Sequence, residues 1–262
     1  MIKNSIIRKY SVTLAMIVVL ALVLPLKACA KEQMLVEEPD GIITMTTKAS
    51  EVWLFIVVGS KEDFSVDWGD GKQSSVNDAV YYKESELFVF TREYSGATAH
   101  NIVITGNVTQ LSCGGNLTAL DVSRNPTLTR LNCYGNQLTT LDVSRNPALT
   151  DLDCGKNQLT ALDVSKNTAL ERLKCNQNQL TALDVSKNTE LWLLEVVGNQ
   201  LTAATLNDLF RTLPDRSKLG LEYVGDINIS TYSGGGNPGN SDCDRSIAEV
   251  RGWSFHSIRA LR

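Results

Sequence analysis

Four cysteines, Cys113, Cys133, Cys154 and Cys175, recur at near-constant spacing in a chain of 262 residues that holds six cysteines in all. Thiols repeated in this way could form disulfides, ligate zinc or attack a substrate. A disulfide needs side chains that converge, zinc needs four donors in a tetrahedron, and a nucleophilic thiol needs an oriented base. These four occupy one position of a repeated pattern, so they form a linear ladder whose side chains point the same way, into a core. They are expected to pack as small hydrophobes. Bridging is the alternative, because neighbours about 5 Å apart are within reach and an exported chain meets oxidising conditions. Cys243 lies outside the ladder. His100 and His256 stand in no metal or nucleophile motif. No catalytic residue, no metal and no cofactor is expected.

The element that must position the thiols is a repeat. Leu117 to Gln200 is four consecutive copies of a 21-residue sentence, the second reading LTTLDVSRNPALTDLDCGKNQ from Leu138. Its apolar positions are Leu138, Leu141, Val143, Leu149, Leu152 and Cys154, with Asn146 and Asn157 closing the two halves. Each half reads L-x-x-L-x-φ-x-x-N, whose period of two predicts a short strand with one buried face. One unit cannot bury its leucines alone, so copies must stack and share a core. Asn116, Asn136, Asn157, Asn178 and Asn199 sit where the chain leaves the strand. Their amides are expected to satisfy backbone groups of the adjacent turn.

The pattern resembles the leucine-rich repeat. The cysteine at the φ position and the LTxLDVSxN phrase are similar, more narrowly, to cysteine-containing bacterial internalins, which are surface proteins. That resemblance covers about 107–200 and implies a solenoid.

Residues 1–28 read as a secretory signal peptide: Lys3, Arg8 and Lys9 precede an apolar run from Val12 to Leu26. Leu26-Lys27-Ala28-Cys29 looks like a bacterial lipoprotein processing site, which implies lipidation at Cys29; a cleaved, soluble secreted protein is the alternative. Residues 29–40 form a short polar tether. The whole chain carries −4, and removal of the signal leaves 21 basic against 29 acidic residues, or −8. That balance argues against nucleic acid as a partner.

Between 41 and 106, strand-like runs (IITMTT, VWLFIVV, FSVDWGDG, LFVF, NIVITG) alternate with turn signals and predict a small β-sandwich. VDWGDG at 66–71, with the Tyr94 stretch and Ile102 to Thr105, resembles PKD-like, immunoglobulin-like domains of bacterial surface proteins. Trp68 is read as core, and Asp67 and Asp70 as turn chemistry. The sandwich is expected to pack directly on the incomplete first repeat. Beyond the repeats (107–200), residues 201–262 are read as a cap. Leu201, Leu206, Leu209, Phe210 and Leu213 share a helical face ending at Pro214, Leu221 to Val224 and Ile227 to Ile229 look like irregular strand, and Asp242 or Asp244 caps a short helix before Trp253-Ser254-Phe255. The fold class is therefore mainly β with some α: a small β-sandwich, then a short leucine-rich-repeat solenoid with a helical C-terminal cap.

Strand residues alternating with the buried leucines face outward. With the cysteine half as the concave strand, the outward rows are Arg130, Asp151, Arg172, Leu193 and Asn132, Asp153, Lys174, Glu195, with Tyr134, Gly155, Asn176, Val197 as a third. They vary between copies while the buried positions do not, as expected of a binding surface for a protein partner on a host or neighbouring cell. Trp192, Leu193 and Val197 either pack under the C-terminal helix, the preferred reading, or touch ligand. On the other half, Asp121, Asp142, Asp163 and Asp184 repeat unchanged, and the parallel row Arg124, Arg145, Lys166 and Lys187 should offset much of their repulsion. A calcium ladder there is the alternative to a solvated structural face. The function that follows is a non-enzymatic binding or adhesion module, exported and lipid-anchored at the bacterial outer membrane or cell surface. The alternatives are carbohydrate capture by the sandwich or a structural spacer.

Overall fold

The computed structural model describes residues 40–255 except Ala97, 219–223 and 230–235. The signal segment, Cys29 and His256 lie outside the described residues. Nine strands come first: β1 (Ile42–Thr47), β2 (Glu51–Val58), β3 (Ser65–Asp67), β4 (Gln73–Ser74), β5 (Val80–Tyr82), β6 (Leu87–Glu93), β7 (His100–Thr105), β8 (Val108–Gly114) and β9 (Leu117–Arg124). The cysteine halves of the repeats then supply β10 (Arg130–Asn132), β11 (Asp151–Asp153), β12 (Arg172–Lys174) and β13 (Leu193–Glu195). The chain closes with α1 (Ala203–Thr212), β14 (Gly225–Asn228), α2 (Ser246–Glu249) and β15 (Trp253–Phe255).

These strands make two sheets. One has five strands in the order β4-β3-β7-β1-β9, and the other has ten in the order β15-β14-β13-β12-β11-β10-β8-β2-β6-β5. From β8 to β15 every neighbour in the ten-stranded sheet is parallel and in register, so Leu111, Leu131, Leu152, Leu173, Leu194 and Ile227 line up inward. The period-two pattern of the sequence dictates this, because a slip of one residue would turn each leucine out to water. The buried side chains from Ile43 to Trp253 form one continuous cluster.

The coil that opens the array belongs to both sheets. β8 pairs parallel with β10 on one side and antiparallel with β2 on the other, while β9 pairs antiparallel with β1. The first coil would otherwise present a row of unpaired N–H and C=O groups, and β1 and β2 cover both halves of that edge.

Two expectations need correction. The L-x-φ core of both half-repeats suggested two strands per copy, yet LTxLDVS is strand only as β9, where β1 lies beside it; in the three later copies that half is turn and coil. It is held there by side chains. The Nδ2 of Asn146 donates to the Val122 carbonyl (3.0 Å) and the Asn125 carbonyl (2.9 Å), and Asn167 and Asn188 repeat this one coil on. Second, Asn116 is not a rung of the other asparagine column: it is exposed with φ of 51°. The true rungs are Asn136, Asn157, Asn178 and Asn199, all buried. The Nδ2 of Asn157 donates to the carbonyls of Cys133 (2.9 Å) and Cys154 (3.1 Å), and its Oδ1 accepts the Leu138 amide (3.0 Å). Asn237, inside a segment read from sequence only as a glycine-rich turn, continues the column. Its Oδ1 accepts the Asn199 amide (3.1 Å) and its Nδ2 donates to the Val196 carbonyl (3.0 Å).

At the far end, the Thr202 hydroxyl caps α1 and its inward face buries Leu206, Leu209 and Phe210. The helix stops before Pro214, whose ring disfavours a helical residue ahead of it. Asp244 receives the Ser246 amide (3.1 Å) at the start of α2, so this aspartate rather than Asp242 serves that turn. Of the expected irregular strands, the segment 221–223 falls outside the described residues, and β14 begins at Gly225.

The two asparagine types predict different outcomes. Asn157→Gly strips a buried amide of its acceptor and two carbonyls of their donor, and should cost on the order of 3 kcal/mol in urea unfolding. Asn116→Gly should stay within about 0.5 kcal/mol, since glycine suits a positive φ. Equal losses would reject the ladder role.

Candidate functional site

The outward rows of β10–β13 fall in strict register: Gln110, Arg130, Asp151, Arg172, Leu193 and Asp226 form one line across the sheet, and Ser112, Asn132, Asp153, Lys174, Glu195 and Asn228 the next. Thus the structure brings Arg130, Asn132, Asp151, Asp153, Arg172, Lys174 and Glu195 together on one face, and extends that face by a strand at each end. Each short strand holds its central leucine inward and the residues on either side outward.

The charges on this face are largely matched. The Arg172 guanidinium hydrogen-bonds Asp151 Oδ1, and Arg130 Nε lies 3.4 Å from Asp151 Oδ2, so two cations share one carboxylate. Lys174 Nζ sits 3.0 Å from Glu195 Oε1. Asp153 accepts the Gly155 amide (3.1 Å). Burial pushes its carboxyl above the usual range, against the pull of the Gly155 amide and Lys174. Pairs at a solvent-facing site contribute little to stability; their effect here is to hold long side chains in place.

Beyond the strands, Tyr134 stays exposed, its amide held by Asn132 Oδ1 at 3.0 Å. Its ring and the Asn176 amide close over Gly155, where an added Cβ would come within 3.0 Å of Tyr134 Cδ2 and 2.6 Å of Asn176 Oδ1. Any side chain at 155 would push both apart. A groove of about 680 Å³ runs along the face, from Arg130 through Asp151 and Arg172 to Trp192 and Leu193. At its other end stand Phe55 and Leu87. Sequence reasoning missed these two because it ended the binding rows at the repeats. The available signal was that VWLFIVV and LFVF are apolar on both faces, which is unusual for a strand facing water on one side.

Trp192 and Leu193 correct a further expectation. They do not pack under α1: Trp192 is 37% exposed, the Arg172 guanidinium lies 5.8 Å from its ring centroid, and both residues line the groove. Only Val197 of that trio is buried. For Leu193 the register explains this, since it stands in the same outward row as Arg172.

On the opposite half of the coils, each repeated aspartate closes a local turn: Asp121, Asp142, Asp163 and Asp184 accept the amides of Ser123, Ser144, Ser165 and Ser186 at 2.7–2.9 Å. These serines, ahead of the basic row, hold Asp142 and Asp163 below the usual carboxylate range, with smaller contributions from Arg145 and Lys166. Among the described residues no group of three His, Cys, Asp or Glu side chains converges to hold a metal. The four ladder cysteines are unbridged and buried, and burial pushes the Cys113 thiol up to about 12 and raises the other three. His100 stacks on Tyr94 with ring centroids 3.9 Å apart. Among the described residues no helix is long and apolar enough to cross a membrane.

No family model matches the chain, and no curated protein does either. Among solved structures it is similar to the functional domain of InlJ from Listeria monocytogenes, which includes a cysteine ladder. The identity is 28% over 57% of this chain and 39% of that one, with a TM-score of 0.30. It is also similar to an internalin, InlF, from Listeria monocytogenes str. 4b F2365, at 20% identity over 56% and 46% of the two chains, with a TM-score of 0.37. The chain spans less than half the length of either.

Two outcomes test the site's electrostatics. Thiol alkylation of the native protein should modify the half-exposed Cys243 and spare Cys113, Cys133, Cys154 and Cys175 until denaturant is added; rapid native labelling of any ladder thiol would reject the buried arrangement. Asp153 has a folded pKa above its unfolded value of about 3.9, so its ionised form opposes folding above the folded pKa and has no effect below the unfolded one. Asp153→Asn should therefore raise Tm at pH 7, with the gain fading towards pH 3.

Proposed function

We propose that the chain is a non-enzymatic binding or adhesion module that engages a protein partner through the outward face of β10–β13. The observation that carries this reading is the contrast between two interleaved sets of positions. Leu131, Leu152, Leu173 and Leu194 are identical from coil to coil, whereas Arg130, Asp151, Arg172 and Leu193 beside them are not. A scaffold that needs only its inward side chains leaves the outward ones available for recognition. Arginine and tyrosine, prominent there, are residues on which binding energy concentrates.

Residues 41–106 serve in this reading as a PKD-like, immunoglobulin-like domain and 201–262 as the terminal cap. Lipidation of Cys29 would tether the array through residues 29–40 to an outer membrane or cell surface, presenting the face to a host or neighbouring cell. The charged start, apolar run and cysteine of the first 29 residues support that location.

The test is a triple variant, Arg130→Ala, Tyr134→Ala and Arg172→Ala, assayed against a partner captured from host or neighbouring-cell surfaces. Affinity should fall by roughly a hundredfold or more, with Tm unchanged because all three side chains are at the surface. Unaltered affinity would reject this face.

A further inference from the structure

The outward face does not stop at β10. The ten-stranded sheet carries it across β8 onto the antiparallel strands, where Val57, Phe55 and Trp53 of β2 lie beside Gln110, Ser112 and Gly114 of β8. On β6, Val89 lies beside Phe55 and Thr91 beside Trp53, with Leu87 on the same side; on β5, Val80 and Tyr82 lie beside Val89 and Leu87. The reverse face of β2 and β6 is already buried, by Val52, Leu54, Ile56, Phe88 and Phe90. The middle of these two strands is therefore apolar on both faces, while antiparallel strands of an ordinary two-layer fold turn polar residues to water. Trp53 is 36%, Tyr82 52% and Val80 61% exposed. An apolar surface of this kind marks an interaction site.

Two details join the patch to the charged rows. The Trp53 ring covers Gly114, where an added Cβ would fall 2.0 Å from it, and meets Phe55 edge to face at 5.5 Å. A single groove then joins Phe55 and Leu87 to Arg130, Arg172 and Trp192. Phe55 is in line with Asn132, two strand spacings away, and Arg130 is two residues along from that line, so Phe55 and Arg130 are about 12 Å apart; five spacings separate Phe55 from the strand of Leu193, about 24 Å across the sheet. Glu51 and Glu93 face each other at the far end of the patch, but along the groove the first charge beyond Phe55 is positive and accessible. The Arg130 side chain is 55% exposed and shares Asp151 with Arg172, while Glu195 is taken by Lys174.

We propose that the partner-binding face extends over the outer sides of β2, β5 and β6, and that it takes a protein segment which seats apolar side chains there and sets a carboxylate about 12 Å from Phe55, against Arg130. This rests on the preceding reading of β10–β13 as the binding face and adds the partner's chemistry. A planar guanidinium with unused donors suits a carboxylate. An extended segment covers the interval in about four residues.

The probe is a set of synthetic twelve-residue peptides, each with an apolar tract followed at three to six residues by aspartate or glutamate, together with a matched set carrying asparagine or glutamine. Binding to the full chain is read by fluorescence anisotropy. The acidic peptides should bind at least tenfold tighter than their amide twins. Phe55→Thr with Val89→Thr should weaken them tenfold or more, and Arg130→Gln should erase the difference between the sets. Should the threonine pair fail to fold, Val80→Lys with Tyr82→Lys on the exposed edge strand makes the same test. Loss of binding in Arg130→Gln with full affinity in the apolar variants would confine the footprint to the repeats, overturning the extension and sparing the earlier reading; indifference to all the variants would sink both. The extension is also overturned if no acidic peptide binds, or if light scattering shows a dimer that the threonine pair abolishes.

Discussion

A peptide group buried without a partner costs about 1–3 kcal/mol, and each coil of this protein turns its chain inward at two corners. The structure answers with two columns of asparagine. One side chain per corner donates to a carbonyl of the preceding coil and to a second carbonyl close by, and in the column through Asn157 its oxygen also accepts an amide. Leucine burial supplies most of the favourable free energy of the stack, yet hydrocarbon alone does not prescribe where one coil sits on the next. Directional bonds between coils do. The strand register, the depth of the thiols and the spacing of the outward side chains all follow from that constraint.

The repeat was legible because a strand period of two and a copy period of 21 leave little freedom: once Leu152 points in, Asp151 and Asp153 must point out. What escaped the sequence lies where identical words meet different neighbours. LTxLDVS is strand at 117–124 because β1 pairs with it, and coil in the later copies, where among the described residues no strand does. Asn116 shares its letter with Asn136, but no preceding repeat coil stands behind it, and it faces solvent. Asn237 fills the rung after Asn199, but 38 residues on rather than 21, so no period could reveal it. Trp192 was expected under the C-terminal helix; it stands just before β13, outside the strand alternation, and lines the groove with the Arg172 guanidinium 5.8 Å from its ring.

Hydrogen bonding runs on from the first strands into the repeats without a break. A division at 106/107 follows the change from irregular strands to repeats, and hydrogen bonding ignores it, since β8 joins β2 as closely as it joins β10. Edge protection is the physical reason. Its by-product is a face whose apolar and charged halves share one unbroken surface, though they come from segments that look unrelated in sequence.

Because each 21-residue copy adds one strand to a parallel ladder, the groove has a length that changes only in whole steps of about 4.8 Å. Its apolar ends, Phe55 and Leu87 at one side and Trp192 at the other, belong to the terminal structures and to the last copy. The interval between them is therefore a count of repeats. Duplication or loss of an internal copy would leave both ends intact and move them apart or together by one rung, so the reach of this surface behaves as a ruler graduated in single strands.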